Sequence, residues 1–144
     1  MTAAIYAISI SGRRGELKKE IPEANIVEGF GIEGDGHGGD WDRQVTCLNW
    51  GSVVKSNAEH NLKMGPGDFA ENILIENMDE MNLQPGDQFQ LGESAVLEVS
   101  QIGKPDHPSV VTRTFGVSLL PYEGLFCKVI KGGMICKGDR VIRL

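Results

Sequence analysis

GIEGDGHGGDWDRQV, Gly31 to Val45, is the stretch on which the reading of this chain turns. Five glycines, three aspartates (Asp35, Asp40, Asp42), His37 and Arg43 share it. Glycine reaches backbone conformations closed to other residues and lets another group come near. A loop with this many glycines and polar side chains is shaped to face something. It leads into Arg43-Gln44-Val45-Thr46-Cys47-Leu48, which reads as a strand feeding a core. Its first residues also belong to Gly29-Phe30-Gly31-Ile32-Glu33-Gly34, the letters of the G-x-G-x-x-G dinucleotide fingerprint. That fingerprint needs a helix opening at the motif, so that a pyrophosphate meets its N-terminus. Asp35-Gly36-His37-Gly38-Gly39-Asp40 breaks a helix instead, and the chain has no G-K-[ST]. The nucleotide-binding doubly wound folds are set aside on that ground.

Outward from the loop, strand-like runs dominate. Ile5 to Ser11, Ile73 to Ile75, Gln88 to Leu91, Ala95 to Ile102, Phe126 to Ile130 and Arg140 to Leu144 all read as short strands. In Ala95 to Ile102, Glu98 and Ser100 interleave with Val96, Leu97, Val99 and Ile102, as in a half-buried strand. Pro66-Gly67-Asp68, Pro85-Gly86-Asp87 and Lys137-Gly138-Asp139 are turns of one chemistry. One helix is expected, with Asn49 as N-cap and Gly65-Pro66 as its end. Trp50, Val53, Val54, Ala58 and Leu62 form its apolar face, and Lys55, Ser56 and Glu59 its outer face. Strands do not alternate with helices, which disfavours a parallel α/β sheet. The expectation is a mainly β, closed or nearly closed barrel with one or two short helices.

The chain has 144 residues, 40% of them hydrophobic and 24% charged, which fits a single globular domain over 1–144. A net charge of −6 and an aromatic content of 6% exclude a phosphate-backbone footprint and a base-stacking platform, so nucleic acid is not an expected partner. Lys18-Lys19 is only a pair and reads as a solvated face. No segment approaches the ~20 apolar residues of a membrane span, and Met1 to Ile10 lacks a basic leader region. Three cysteines without a C-x-x-C pair argue against a disulfide framework or a zinc ribbon and predict a reduced, cytoplasmic protein. Cys47 and Cys127 read as buried thiols and Cys136 as more exposed, while His60 reads as a surface residue.

Several polar groups remain as candidates. One histidine and three carboxylates in the glycine-rich loop fit neither a calcium nor a zinc site well. Glu71 and Asn72 stand at the entry of an apolar strand, as backbone-bonded loop residues or as polar contacts at a cavity mouth. In IGKPDHP, Ile102 to Pro108, two prolines and a glycine pin Lys104, Asp106 and His107 close together. Asp106 and His107 make an acid/base pair where a substrate comes within hydrogen-bond reach.

Taken in order, GIEGDGHGGDWDRQV, PGDFAENILIE, PGDQFQLGES, LEVSQIGKP, EGLFCKVIKGG and KGDRVIRL resemble a MOSC domain, named for the C-terminal part of molybdenum cofactor sulfurase. The resemblance runs from about residue 5 to 144 and points to the small stand-alone bacterial type. It implies a barrel-like fold and a pocket for the pterin-type molybdenum cofactor, molybdopterin, or a related anionic ligand. Larger relatives carry a pyridoxal-phosphate sulfurase domain, for which this length leaves no room. Others reduce N-hydroxylated compounds with help from an electron-donor protein. On this reading Gly34, Asp35, His37, Arg43, Asn72, Lys104 and Arg113 would bind the cofactor. Asp106 and His107 would stand at the reactive position, with Asp106 as an oxygen ligand to the metal. The family cysteine is replaced there by Asp106, and a carboxylate cannot carry sulfane sulfur. A non-catalytic cofactor carrier serving a molybdoenzyme, or a protein-interaction barrel, is the alternative.

Overall fold

The computed structural model describes residues 2–144. Seven strands close into a barrel: β1 (Ala3–Ile10), β6 (Ile73–Glu76), β5 (Val45–Asn49), β9 (Leu125–Lys131), β8 (Ala95–Ile102), β7 (Gln88–Leu91) and β11 (Arg140–Arg143). The ring shuts where Ala3 and Ala4 of β1 pair with Val141 and Arg140 of β11. Further along β1, β2 (Lys19–Ile21) takes over that edge, with Ile8 opposite Ile21. A separate sheet of β3 (Glu23–Val27), β4 (Gly31–Ile32) and β10 (Gly133–Cys136) stands beside the barrel.

Two apolar clusters explain the strand sequences. Ile5, Ile8, Val45, Cys47, Ile73, Ile75, Phe89, Leu97, Val99 and Cys127 fill the barrel. Ala7, Leu48, Val53, Phe69, Leu74, Val111, Leu120 and Phe126 form a second cluster outside it. Strands β1, β5, β6 and β9 feed both clusters, so β5 is buried at every position and reads as an unbroken apolar run. β8 borders one cluster only, and its inside-outside alternation is the one the sequence predicts.

The sheet is antiparallel except for β5 and β6, which run parallel. Helix α1 (Trp50–His60) makes the crossover between them, so one β-α-β unit is built into the barrel wall, with the helix packed in the outer cluster. The helix departs from expectation in two ways. It stops at His60, because Asn61 takes the left-handed conformation that asparagine tolerates, rather than running on to Gly65. The Asn57 amide then holds both the N–H and the C=O of Met64, fixing the chain's exit. Its buried residues are Val53 and Ser56, whereas Val54 is 50% exposed and Ala58 is exposed as well. Two further helices, α2 (Val110–Phe115) and α3 (Leu120–Glu123), and a 3-10 turn at Met78–Met81 were not legible as periodic patterns. Helix α2 begins with a capping box in which Ser109 and Thr112 satisfy each other's backbone N–H groups.

The three expected turns form with a common closure. In each, the aspartate after the glycine accepts the backbone N–H three residues back: Asp68 from Gly65 at 2.8 Å, Asp87 from Gln84 at 2.9 Å and Asp139 from Cys136 at 2.8 Å.

Candidate functional site

The glycine-rich loop is anchored by a buried ion pair. Lys18 Nζ lies 2.7 Å from Asp35 Oδ1, and both side chains are 0% exposed. Asp35 also accepts the backbone N–H groups of Ser11 and His37, and Lys18 Nζ donates to Ser11 Oγ. Lys18 is therefore no solvated residue, contrary to the sequence expectation. Its remaining donor lies 3.2 Å from His37 Nδ1. An ammonium can only donate, so Nδ1 accepts and the ring proton is assigned to Nε2. The imidazole is pushed down to about 4, by burial first and then by the Lys18 charge, against the opposing pull of Asp35. His37 thus meets a ligand as a neutral ring with one N–H donor. Gln44 secures the loop from behind: its amide donates to Gly39 O at 2.9 Å and accepts Val129 N–H at 2.9 Å.

Opposite stands the 103–113 segment. The N–H of Lys104 donates to Pro121 O at 3.0 Å, which fixes it against α3. Its ammonium lies 6.0 Å from the centre of the Phe126 ring, and the Arg43 guanidinium lies 5.2 Å from the same ring. Burial, then the Arg43 charge, lowers the Lys104 pKa, with Asp106 opposing. Among the described residues neither cation is in an ion pair. Lys104, His37, His107 and Arg113 line one open pocket of about 290 Å³, floored by Phe69, Ala70, Val111 and Leu120. Two cations over one ring, beside an apolar floor and a neutral N–H donor, form a receptor for an anion carrying an organic body.

His37, Lys104, His107 and Arg113 thus line one hollow, and Arg43 shares the Phe126 ring with Lys104. Gly34, Asp35, Arg43, Asn72 and Asp106 are not on its lining. Gly34 shapes the turn before Asp35, and Asp35 is engaged by Lys18. Asn72 is fully buried, with Oδ1 accepting Thr46 N–H and Nδ2 donating to Ser9 O, so it ties β5 to β1. The exposed Asp106 carboxylate accepts the Tyr122 hydroxyl, which raises the tyrosine pKa. His107 lies exposed beside it, with Nδ1 nearest to Pro108 O.

Sequence reasoning passed over Arg14. Its guanidinium stacks 4.1 Å from the Trp41 ring centre, and its charge is felt at His37. Arg13-Arg14 was visible as a dipeptide, but only the fold brings it to Gly36.

Glu71 is a further buried acid. It accepts Gly67 N–H at 2.7 Å and Phe69 N–H at 3.1 Å, and burial pushes its carboxyl up to about 7 against those bonds. From the ordinary 4.5 up to about 7 the folded chain keeps this proton and the unfolded chain releases it, so stability falls as pH rises through that window. His37 works the other way. Unfolded it binds a proton below 6.5, folded only below about 4, so its contribution falls as pH drops. Glu71→Gln should leave a protein that loses stability on acidification. His37→Gln should steepen the loss on alkalinisation. Denaturant melts at the two ends of the shared window read both, and parallel profiles for all three proteins would refute the assignment.

The donor set decides what the hollow fits. Lys104 and Arg113 on its lining, with Arg43 beside Lys104 at the Phe126 ring, suit a phosphate, and Phe69 and Val111 suit a ring system. A soft metal ligand is lacking: Cys47 and Cys127 face the barrel core, and Cys136 is exposed beside Glu23 on β10. Among the described residues no group of three or more His, Cys, Asp or Glu could hold a metal ion. The residues fit the anionic part of a pterin cofactor and supply no thiolate to its metal. A second, wider hollow of about 710 Å³ at the start of α1 is walled by Glu76, Asp79 and Glu80, which oppose an anion. Among the described residues no helix is long and apolar enough to cross a membrane.

Comparison with known proteins agrees with the fold. The MOSC domain profile matches residues 33–142. The YuaD protein from Bacillus subtilis is similar in structure, with a TM-score of 0.78, 19% identity, and coverage of 98% of this chain and 94% of YuaD. YiiM from Geobacillus stearothermophilus gives a TM-score of 0.77 at 17% identity, over 99% of this chain and 75% of YiiM. A protein named Reductase from Gibberella moniliformis (strain M3125 / FGSC 7600) is 32% identical over 83 residues. That stretch is 52% of this chain and only 14% of the Reductase.

Proposed function

Because this chain belongs to the MOSC domain family, we propose that it binds a phosphate-bearing cofactor of the molybdopterin type in the hollow between the glycine-rich loop and the 103–113 segment. The observation that carries this reading is the pair of cations, Arg43 and Lys104, over the Phe126 ring with no ion-pair partner among the described residues. Like charges held together in a half-buried place raise the energy of the empty pocket, and a phosphate relieves it. Arg113 closes the outer side, and His37 Nε2–H donates to a ligand oxygen. Phe69, Ala70, Val111 and Leu120 keep water from one side of the ligand. When bound, a molybdenum centre supplies the redox chemistry. This chain's residues hold and orient the organic part, and with no thiolate of its own at the site the protein acts as a binding and hand-over module for a molybdoenzyme in the cytoplasm.

Protein isolated from a molybdenum-replete host should release a pterin detectable by mass spectrometry. Arg43→Ala should lower its occupancy about tenfold or more, the effect of losing one charge-assisted contact. Equal occupancy in the variant, or no pterin and no uptake on adding cofactor, refutes the reading.

The likeness to a protein named Reductase favours a second reading, in which this domain supports reduction of N-hydroxylated compounds with an electron-donor protein. Turnover of an N-hydroxylated purine with a supplied donor supports it. Tight cofactor binding with no turnover supports the carrier.

A further inference from the structure

Two groups of cations stand near His37: Lys104, which lines the hollow with it and shares the Phe126 ring with Arg43, and Arg14, which lies over the Trp41 ring stacked with His37. Lys104 and Arg14 both act on its ring, from the 103–113 segment and from the exposed loop after β1. Gly15, next to Arg14, lines the same pocket. Arg14 is held there by two contacts: its guanidinium lies over the Trp41 ring at 4.1 Å, and its Nε donates to Gly36 O at 3.4 Å. The Trp41 indole is fixed in turn by its own N–H on His37 O at 2.8 Å. The two loops are in backbone contact. A Cβ on Gly36 would stand 2.6 Å from the Arg13 carbonyl carbon, and Gly36 N–H donates to Ser11 O at 2.7 Å. Among the described residues Arg14 is in no ion pair, like Arg43 and Lys104. In a chain of net charge −6, this leaves two groups of cations without ion-pair partners near one neutral imidazole.

We infer that the hollow is built for a diphosphate ester rather than a monophosphate, with one phosphoryl group on Arg43 and Lys104, the second on Arg14, and the His37 Nε2–H donating between them. A single phosphate satisfies one cation group and leaves the other facing solvent. Two linked phosphoryl groups satisfy both, and the second contact then costs little further ordering. Aryl and alkyl monophosphates would bind at the inner group alone.

The inference rests on the proposed anion pocket, so the experiment separates the two. Isothermal titration calorimetry at constant ionic strength compares inorganic phosphate with pyrophosphate on the full chain. Wild type should bind pyrophosphate about tenfold or more tightly than phosphate, the scale of one added charge-assisted contact. Arg14→Gln keeps a side chain able to donate to Gly36 O, and it should erase that increment while leaving phosphate affinity unchanged. Arg43→Ala should weaken both anions. Equal affinities for the two anions in wild type, or an Arg14→Gln variant that retains the increment, overturns the diphosphate assignment while phosphate binding still sensitive to Arg43 keeps the pocket. Phosphate binding indifferent to Arg43 overturns the pocket itself. Arg14→Lys is the check on folding: it keeps the charge and should retain most of the increment.

Discussion

Lys18→Met should lower the unfolding free energy by about 3–5 kcal/mol at neutral pH, the scale of leaving one member of a buried ion pair unpaired. Asp35 would remain with a fully buried carboxylate and only the backbone N–H groups of Ser11 and His37 as partners. Phosphate binding should weaken as well, since His37 loses the donor that fixes its tautomer. Denaturant melts at neutral pH read the first effect, and calorimetry with phosphate reads the second. A loss under about 1 kcal/mol would mean that solvent reaches the pair.

Gly67→Ala is the second large effect. Gly67 has φ +85, and a Cβ there would stand 2.1 Å from Lys18 O and 2.6 Å from Lys18 C, both backbone atoms that no rotamer change can move aside. Left-handed strain and overpacking together should cost on the order of 3 kcal/mol or more. The contact matters beyond its own site. Lys18 N–H donates to Gly67 O at 3.1 Å, and Glu71 grips Gly67 N–H from the other side. Displacing this turn therefore moves the backbone that delivers Lys18 to Asp35. Gly86→Ala is the internal comparison: its φ is +93, but nothing lies within 4 Å of the added atom, so it should cost only about 1 kcal/mol. Equal melting temperatures for the two variants would show that the Lys18 contact is loose.

The contrast between these two glycines shows how far the sequence could be read. Both sit in a Pro-Gly-Asp turn, and both turns form with the same aspartate closure. Turn chemistry is local, so it was legible. That one turn abuts Lys18 is a property of the fold. Asn72 makes the same point. Its choice between backbone clamp and cavity contact was open in the sequence, and its bonds to Thr46 and Ser9 span 26 and 63 residues of chain. Arg43 and Lys104 were recognisable as candidate anion ligands by charge, but their shared ring, Phe126, comes from a third segment.

By itself the sequence determined the barrel: short alternating and doubly buried strands, turns set by proline and glycine, and a glycine-rich loop that could not open a nucleotide-binding helix. These follow from interactions within a few residues, where backbone sterics and side-chain period act alone. The tertiary structure decided which charges are buried and which are free. It folded Lys18 onto Asp35, committed Asn72 and Glu71 to backbone, and left Arg14, Arg43 and Lys104 without ion pairs among the described residues. The cost of a charge depends on the solvent and partners around it, and those are supplied by strands far apart in the chain.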